Sequence, residues 1–477
     1  MAAVVEKHSI DVVPDSERHG RAFNQFTLWL GANLQITAVV TGALAVVFGG
    51  DVVWSLTGLV LGNLLGGAVM ALHSAQGPKL GLPQMIQSRA QFGVKGAAVP
   101  LLLVILMYVG FFASGSVLAG QATAELTHTD DTTGIVVFAL VTAVVAAVGY
   151  RVIHVLGRVA SIVCALAFLY LGARLVDRVD LGELLGDAHF SLPMFLLAVS
   201  LSASWQLAFG PYVADYSRYL PRTTSAKATF WWTLSGSALG SQWSMTFGVL
   251  VAASSGEAFL DNQVGYVVSL GGAGLAASFF YFVIALGKLT INVLNTYGGF
   301  MSMVTGVSGF RGQRVLSRRG RALYIAVIMV AGTAVALAGK DSFLSSFKDF
   351  LLFLLTFFTP WSAINLVDYY LISRGRYDIP ALADPAGRYG AWRRDALTVY
   401  GIGLVVQLPF LATHFYTGPL VAPLGGADVS WIVGLVVPAA LYWLLARRGT
   451  GERGVNPNAP RDPAPYRERY GSPRTGT

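Results

Sequence analysis

The chain has 477 residues, of which 54% are hydrophobic and only 12% charged, and its mean hydropathy is +0.59. Soluble domains carry about a quarter charged residues, so a water-soluble fold is excluded and an all-α integral membrane protein is expected. The net charge of +8 would suit nucleic acid, but the placement of the basic residues excludes that partner, and a single cysteine, Cys164, excludes an intrachain disulfide framework or a cysteine metal site.

A helix needs about 20 apolar residues to cross a bilayer. By that measure the sequence predicts twelve spans, near 24–48, 52–73, 97–122, 134–150, 152–176, 192–212, 229–254, 268–305, 322–339, 347–372, 396–414 and 429–446. Residues 1–23 precede them as a polar tail of mixed charge, without the apolar core of a signal peptide. Residues 24–448 form the membrane domain, and residues 449–477, rich in Pro, Gly and Arg, read as a disordered tail. Of the 33 Lys and Arg residues, only Arg174, Arg178, Lys340 and Lys348 fall in loops on one side, and Lys288 falls within a span. Basic residues gather on the cytoplasmic side, so both termini are placed in the cytoplasm of a multi-pass protein of the cell membrane, and the cluster Arg311–Arg321 becomes an inner anchor.

Span 1 groups Gly31, Ala32, Asn33 and Gln35 a third of the way along. Asn and Gln are costly in hydrocarbon and face a partner or a cavity; with Gly31 beside them, an unwound segment is expected. In span 3, Phe111 and Gly115 share a face at i, i+4, so a flat ring beside a small-residue patch is placed to stack a planar heterocycle. Span 6 carries Trp205 and Gln206 ahead of Gly210-Pro211. That break frees backbone groups tolerated at membrane depth only where protein or a water-filled cavity satisfies them, so Ser202–Pro221 is expected to wall a binding site. Span 8 is the most polar: Lys288, Asn292 and Asn295 share one face and Gly287 and Thr290 the next. A Lys at this depth is a functional candidate, with snorkelling to an interface as the alternative.

The remaining candidates are assigned structural roles. Cys164 is read as a packing or lipid-facing residue, and Asp215 and Asp368, at the cytoplasmic ends of spans 6 and 10, as partners of Arg218, Arg374 or another basic residue. His73, His154, His189 and His414 lack a ligand spacing such as HExxH, so an enzyme is not expected.

The strings NQFTLWLGANLQ, GLPQMIQSRAQFG, WQLAFGPYVADYSRYLP, NVLNTYGG and TPWSAINLVDYYL, in this order, resemble the nucleobase-cation symporter family in its purine and cytosine permease branch. The resemblance implies a LeuT-type fold: two inverted five-helix repeats with helices 1 and 6 broken, plus two C-terminal helices. It implies alternating-access import of a cytosine- or purine-type base by symport with Na+ or H+, by a monomer without other cofactors. Carriers of another planar heterocycle, such as hydantoin, allantoin, uracil or a vitamin, or an amino-acid carrier of the same fold, are the alternatives.

The family's base-binding positions fall on Gln35, Phe111, Trp205 with Gln206, and Asn292 or Asn295. Where the family often has Trp in helix 3, this chain has Phe111 followed by Ser114 and Gly115. The family's cation site falls on the carbonyls of Gly31 and Leu34 with Gly287 and Thr290 opposite, and the next position, usually a hydroxyl, is Ile291. Lys288, one residue from Gly287, is therefore expected either to accompany sodium or to replace it by exchanging a proton.

Overall fold

The first apolar run divides into α1 (Phe23–Asn33) and α2 (Ile36–Val47), whose axes differ by 65° across Leu34 and Gln35. The cause is local. The Asn33 amide donates to the Trp29 carbonyl at 2.7 Å, a side-chain bond that competes with the helical ladder, and Gln35 is extended at φ −151°. The released carbonyls find donors: Ser244 Oγ bonds Asn33 O at 2.8 Å and Gln35 Nε2 bonds Ala32 O at 2.9 Å. Within lipid such pairing is what permits irregular backbone.

The computed structural model describes residues 11–148, 150–186, 188–312 and 317–448; the tail 449–477 and part of the Arg311–Arg321 cluster lie outside them. After α2 come α3 (Val52–Ser74), three single turns, α4 (Gly77–Leu80), α5 (Gln84–Gln87) and α6 (Arg89–Phe92), then α7 (Ala98–Thr127), α8 (Asp131–Val148), α9 (Tyr150–Val176) and α10 (Leu181–Gly186). The sixth run divides into α11 (Leu192–Leu207) and α12 (Gly210–Ser217), bent by 40°. Its bend falls at Ala208 and Phe209, which keep helical dihedrals, while Gly210-Pro211 open the second half. Pro is pre-set for a first helical turn, where its missing N–H is no loss, so the break is milder than the one in the first run.

The remainder is α13 (Ala226–Ser255), α14 (Ala258–Asp261), α15 (Gln263–Ser269), α16 (Leu275–Arg311), α17 (Arg318–Gly339), α18 (Phe343–Leu366) with a π turn at Val367–Ile372, α19 (Arg394–Val405) and α20 (Ser430–Arg448). Two boundaries differ from expectation. Gly272 and Gly274 adopt φ of 123° and 59°, which separates α15 from α16 where one span from residue 268 was predicted. In the eleventh predicted span, α19 stops at Val405, before a 3-10 turn at Leu408–Phe410 that holds Pro409. Among the described residues there is no strand beyond one isolated bridge, Ala412 with Thr417. Among the described residues, and by length and composition alone, five helices are long and apolar enough to cross a membrane, or up to seven if each bent pair is one span.

Long side chains such as Leu102, Leu140, Leu166 and Val330 stand exposed on the outside, an apolar jacket suited to lipid. Inside, α13 packs along α1 and α2, α11 along α3, and α7 along α16. Glycines set the first contact: a Cβ on Gly240 would come 2.6 Å from the Leu30 carbonyl, and one on Gly236, a turn earlier, would strike Phe26. Small residues of this kind let membrane helices approach closely, bringing the α13 serines within reach of the break.

Candidate functional site

Lys288 is buried at 2% exposure on α16, and it does not snorkel. Its ammonium donates to Thr37 Oγ1 at 2.6 Å and to Gln35 Oε1 at 3.2 Å, joining α16 to the unwound turn between α1 and α2. Charge-assisted bonds are roughly twice as strong as neutral ones. Alongside lies a cavity of about 30 Å³, bounded by Gly31 and Leu34 at the break, Cys164 on α9, and Gly287, Thr290 and Ile291 on α16. The five predicted cation-coupling residues, Gly31, Leu34, Gly287, Thr290 and Lys288, therefore meet at one place. Thr290 Oγ1 donates to the Gly287 carbonyl at 2.8 Å, which leaves the hydroxyl lone pairs for another partner. Cys164 packs at this wall, its thiol 3.4 Å from Val283 O.

Toward α7, Gly115 makes room for side chains of α16. A Cβ there would strike Asn292 Oδ1 and sit 2.8 Å from Lys288 Cε. The Asn292 amide is oriented unambiguously, because its Nδ2 donates to the Phe112 carbonyl at 3.0 Å and to Ser116 Oγ at 3.0 Å, and a carbonyl only accepts. Its Oδ1 is buried with no partner, as is Asn295 Nδ2 one turn on. Buried polar atoms left unbonded are costly and uncommon, and these two, among the described residues of the site, are buried amide atoms that lack a protein partner.

The aromatic wall is formed by Phe111 and Trp205, whose rings meet edge to face with centroids 5.8 Å apart, and by Phe350, 5.2 Å from Phe111. Trp205 is held by its Nε1 bond to Asn33 Oδ1 at 2.6 Å. Gln206 stands apart from this group. Its Nε2 donates to Asn63 Oδ1 at 2.9 Å and Ser241 Oγ at 3.0 Å, and its Oε1 accepts from Ser237 Oγ at 2.6 Å. Ser237 and Ser241 also bond Asn33, so one saturated network on α13 braces both bends. Asn33, Thr37 and these serines have no assigned role in the sequence reading; Asn33 lies within the polar group of span 1, while a serine on a small-residue face gives no signal of its own.

Around the α11–α12 bend, rings pair between neighbouring elements: Trp29 with Phe209 at 5.2 Å, Tyr108 with Tyr212 at 5.6 Å, and His73 stacked on Trp361 at 4.7 Å. Asp215 Oδ1 accepts from the Gln84 backbone N–H at 2.8 Å. Among the described residues Asp368 makes no contact ion pair with Arg218 or Arg374, and the basic group whose charge it senses is Arg393. Its carboxylate, 3% exposed, accepts from the hydroxyls of Ser373, Tyr377 and Tyr442 and from the Gln91 amide. The π turn directs it into this nest of hydroxyls instead of toward Arg374, which follows at a left-handed φ of 48°.

Comparison with known proteins accords with this arrangement. The fold matches that of the transporter Mhp1 in its inward-facing conformation with a TM-score of 0.75, covering 94% of this chain and 95% of that one at 18% identity. It also matches the closed conformation of Mhp1, a nucleobase-cation-symport-1 family transporter with bromovinylhydantoin bound, with a TM-score of 0.74 over 96% and 98% of the two chains. The LeuT-type plan is thus the fold of this chain. In sequence, the "Putative purine-cytosine permease YxlA" of Bacillus subtilis is 40% identical over 93% of this chain and 96% of its own. The purine-cytosine permease fcyB of Emericella nidulans is 25% identical over 92% and 88%. The family described as permeases for cytosine/purines, uracil, thiamine and allantoin matches residues 12–434, and the chain belongs to that family.

Proposed function

We propose that the protein imports a nucleobase of cytosine or purine type across the cell membrane by cation symport, working as a monomer of twelve spans with both termini in the cytoplasm. The observation that carries the substrate reading is the unbonded Asn292 Oδ1, which lies against Gly115, one turn along α7 from Phe111, whose ring meets that of Trp205. An aromatic face stacks a planar ring, worth roughly 1–3 kcal/mol per base where measured by substitution. An acceptor whose own N–H groups are already committed requires a ring that offers an N–H. Loss of that N–H from the substrate leaves the amide unpaired, a penalty that discriminates strongly.

On the coupling side, Lys288 takes the place of a sodium ion. Two unit charges ~5 Å apart repel by about 3 kcal/mol at an effective dielectric of ~20, so an ammonium and a metal cation are poor co-occupants of a cavity this small. Ile291, which has no hydroxyl, also leaves the oxygen set short for a hard cation. The cycle is then one of protonation and release at Lys288 as the α1–α2 and α11–α12 pairs rock against α7 and α16, each ligand shifting the equilibrium only by its differential affinity for the two states.

Uptake of labelled cytosine or adenine into proteoliposomes under separately imposed proton and sodium gradients tests this. A proton gradient is expected to drive accumulation; drive by sodium alone that persists in Lys288→Met would sink proton coupling. A second reading, a hydantoin- or allantoin-type substrate, draws on the allantoin of the family description and the hydantoin bound to Mhp1. Competition by unlabelled bases, hydantoins and amino acids separates these cargoes.

A further inference from the structure

Beneath the α11–α12 bend runs a line of side-chain amides with no part in cargo or cation binding. It starts at Asp368, whose carboxylate oxygens accept. The Gln91 amide NH2 faces it, 3.4 Å from Asp368 Oδ1 and 2.6 Å from Tyr377 Oη, while Tyr377 Oη donates to the same carboxylate at 2.9 Å. Tyr377 lies in the loop after the π turn, where burial and the Asp368 carboxylate push its phenol well above its usual range, so it stays a donor. With its NH2 so fixed, Gln91 presents Oε1 to Asn365 Nδ2 at 3.2 Å. Asn365 Oδ1 then accepts from Gln76 Nε2 at 3.0 Å, and Gln76 Oε1 from Gln84 Nε2 at 3.4 Å.

The last NH2 lies 3.2 Å from His73 Nδ1, and His73 Nε2 lies 3.1 Å from Ser362 Oγ. Each amide in the line has one end that only donates and one that only accepts, so the carboxylate dictates the sense of every bond. Nδ1 must accept and Nε2 must carry the proton. The cost of this order is visible at Gln84 Oε1, buried without a partner. The line spans α18, α6, α4 and its flank, α5 and α3, and ends at the ring stacked on Trp361 directly beneath Gly210, whose Cβ position lies 3.4 Å from Trp361 and 3.6 Å from His73.

We propose that Asp368 is a positioning residue which, through this amide line, holds His73 as the neutral Nε2–H tautomer and so keeps the His73–Trp361 floor closed under the bend in the sixth span. Protonating Nδ1 would set an N–H against the Gln84 NH2, donor against donor, and reversing the line would turn amide oxygens onto the carboxylate. The charged and titratable groups facing the two ends are few. Asp215 on α12 is near His73 through the Gln84 backbone, and Arg393, Tyr389, Tyr377 and Tyr442 surround Asp368.

The test uses full-length protein in nanodiscs labelled with 15N-histidine, the His73 signals being assigned by their loss in His73→Gln. Wild type is expected to show protonated Nε2 and bare Nδ1. In Asp368→Asn, and in Gln76→Met, which cuts the line but leaves the donors to Asp368, the ring is expected to show the Nδ1–H tautomer as well. Uptake by either variant should fall below that of wild type, and Asp368→Glu should restore both the spectrum and the uptake. An Nδ1–H tautomer in wild type overturns the proposal even if both variants fail to fold, as does an unaltered tautomer in both. The spectra require no transport, so this outcome stands apart from any failure of the symport reading, on which the role of the floor rests.

Discussion

The two sides of the site treat their polar groups differently. On the side of α1, α11 and α13, Asn33 and Gln206 have their side-chain donors and acceptors paired with protein partners. On the side of α16, Asn292 Oδ1 and Asn295 Nδ2 are buried and unpaired. An intramembrane amide alone does not mark recognition, because it is stabilising only once satisfied. The satisfied wall is a brace and the unsatisfied wall is the reader, with Gln35 and Lys288 as the junction between them.

Four substitutions can break or sharpen that contrast. The largest effect is expected for Lys288→Met, which removes a charged hydrogen-bond pair worth about 1.5–3 kcal/mol. Gradient-driven accumulation in proteoliposomes should fall on the order of 100-fold, while equilibrium binding of the base, read by calorimetry, persists. Asn292→Leu should raise KM for the base by ~10- to 50-fold with little loss of thermal stability, because it removes one orphaned acceptor along with two satisfied donors. Gly115→Ala pushes on both Asn292 and Lys288, and a KM rise of about tenfold is expected from an overpacking cost of 1–3 kcal/mol, roughly, shared with stability. Gln206→Ala is the control on the brace. Its KM should stay within about threefold of wild type, while the melting temperature in detergent drops in line with a loss of ~1–3 kcal/mol from unpaired neighbours. A large KM change for Gln206→Ala with wild-type stability would reverse the assignment of the two walls.

Much of this site was legible in the sequence as chemistry and little of it as contact. A polar group beside Gly31 inside an apolar run pointed to the break in span 1, since residues of this kind at that depth face a partner or a cavity, and Lys288 stood out as a basic residue deep within a span. The expectation that span 6 opens at Gly210-Pro211 was off by two residues, because Pro fits a first helical turn and the bend moves to the residues before it. Helical periodicity tells which residues share a face but not which helix that face meets. Hence Gln206, chemically as suitable as Gln35, was indistinguishable from it until the serines of α13 were seen around it. The same limit explains Cys164 at the cavity wall and Asp368 among hydroxyls: Tyr377 reaches that carboxylate from the following loop and Tyr442 from α20, 74 residues on.

The Ser244 bond to the Asn33 carbonyl has a further consequence, for speed. The α13 helix that satisfies the unwound turn is packed glycine-to-backbone against the same helix pair, so the irregular turn travels with its own solvent-substitute and need not be re-solvated at each swing. What must be remade each cycle are the bonds from Lys288 to Thr37 and Gln35. The activation enthalpy of turnover should therefore track the strength of that clasp, and Thr37→Val should flatten the temperature dependence of exchange more than any substitution among the α13 serines.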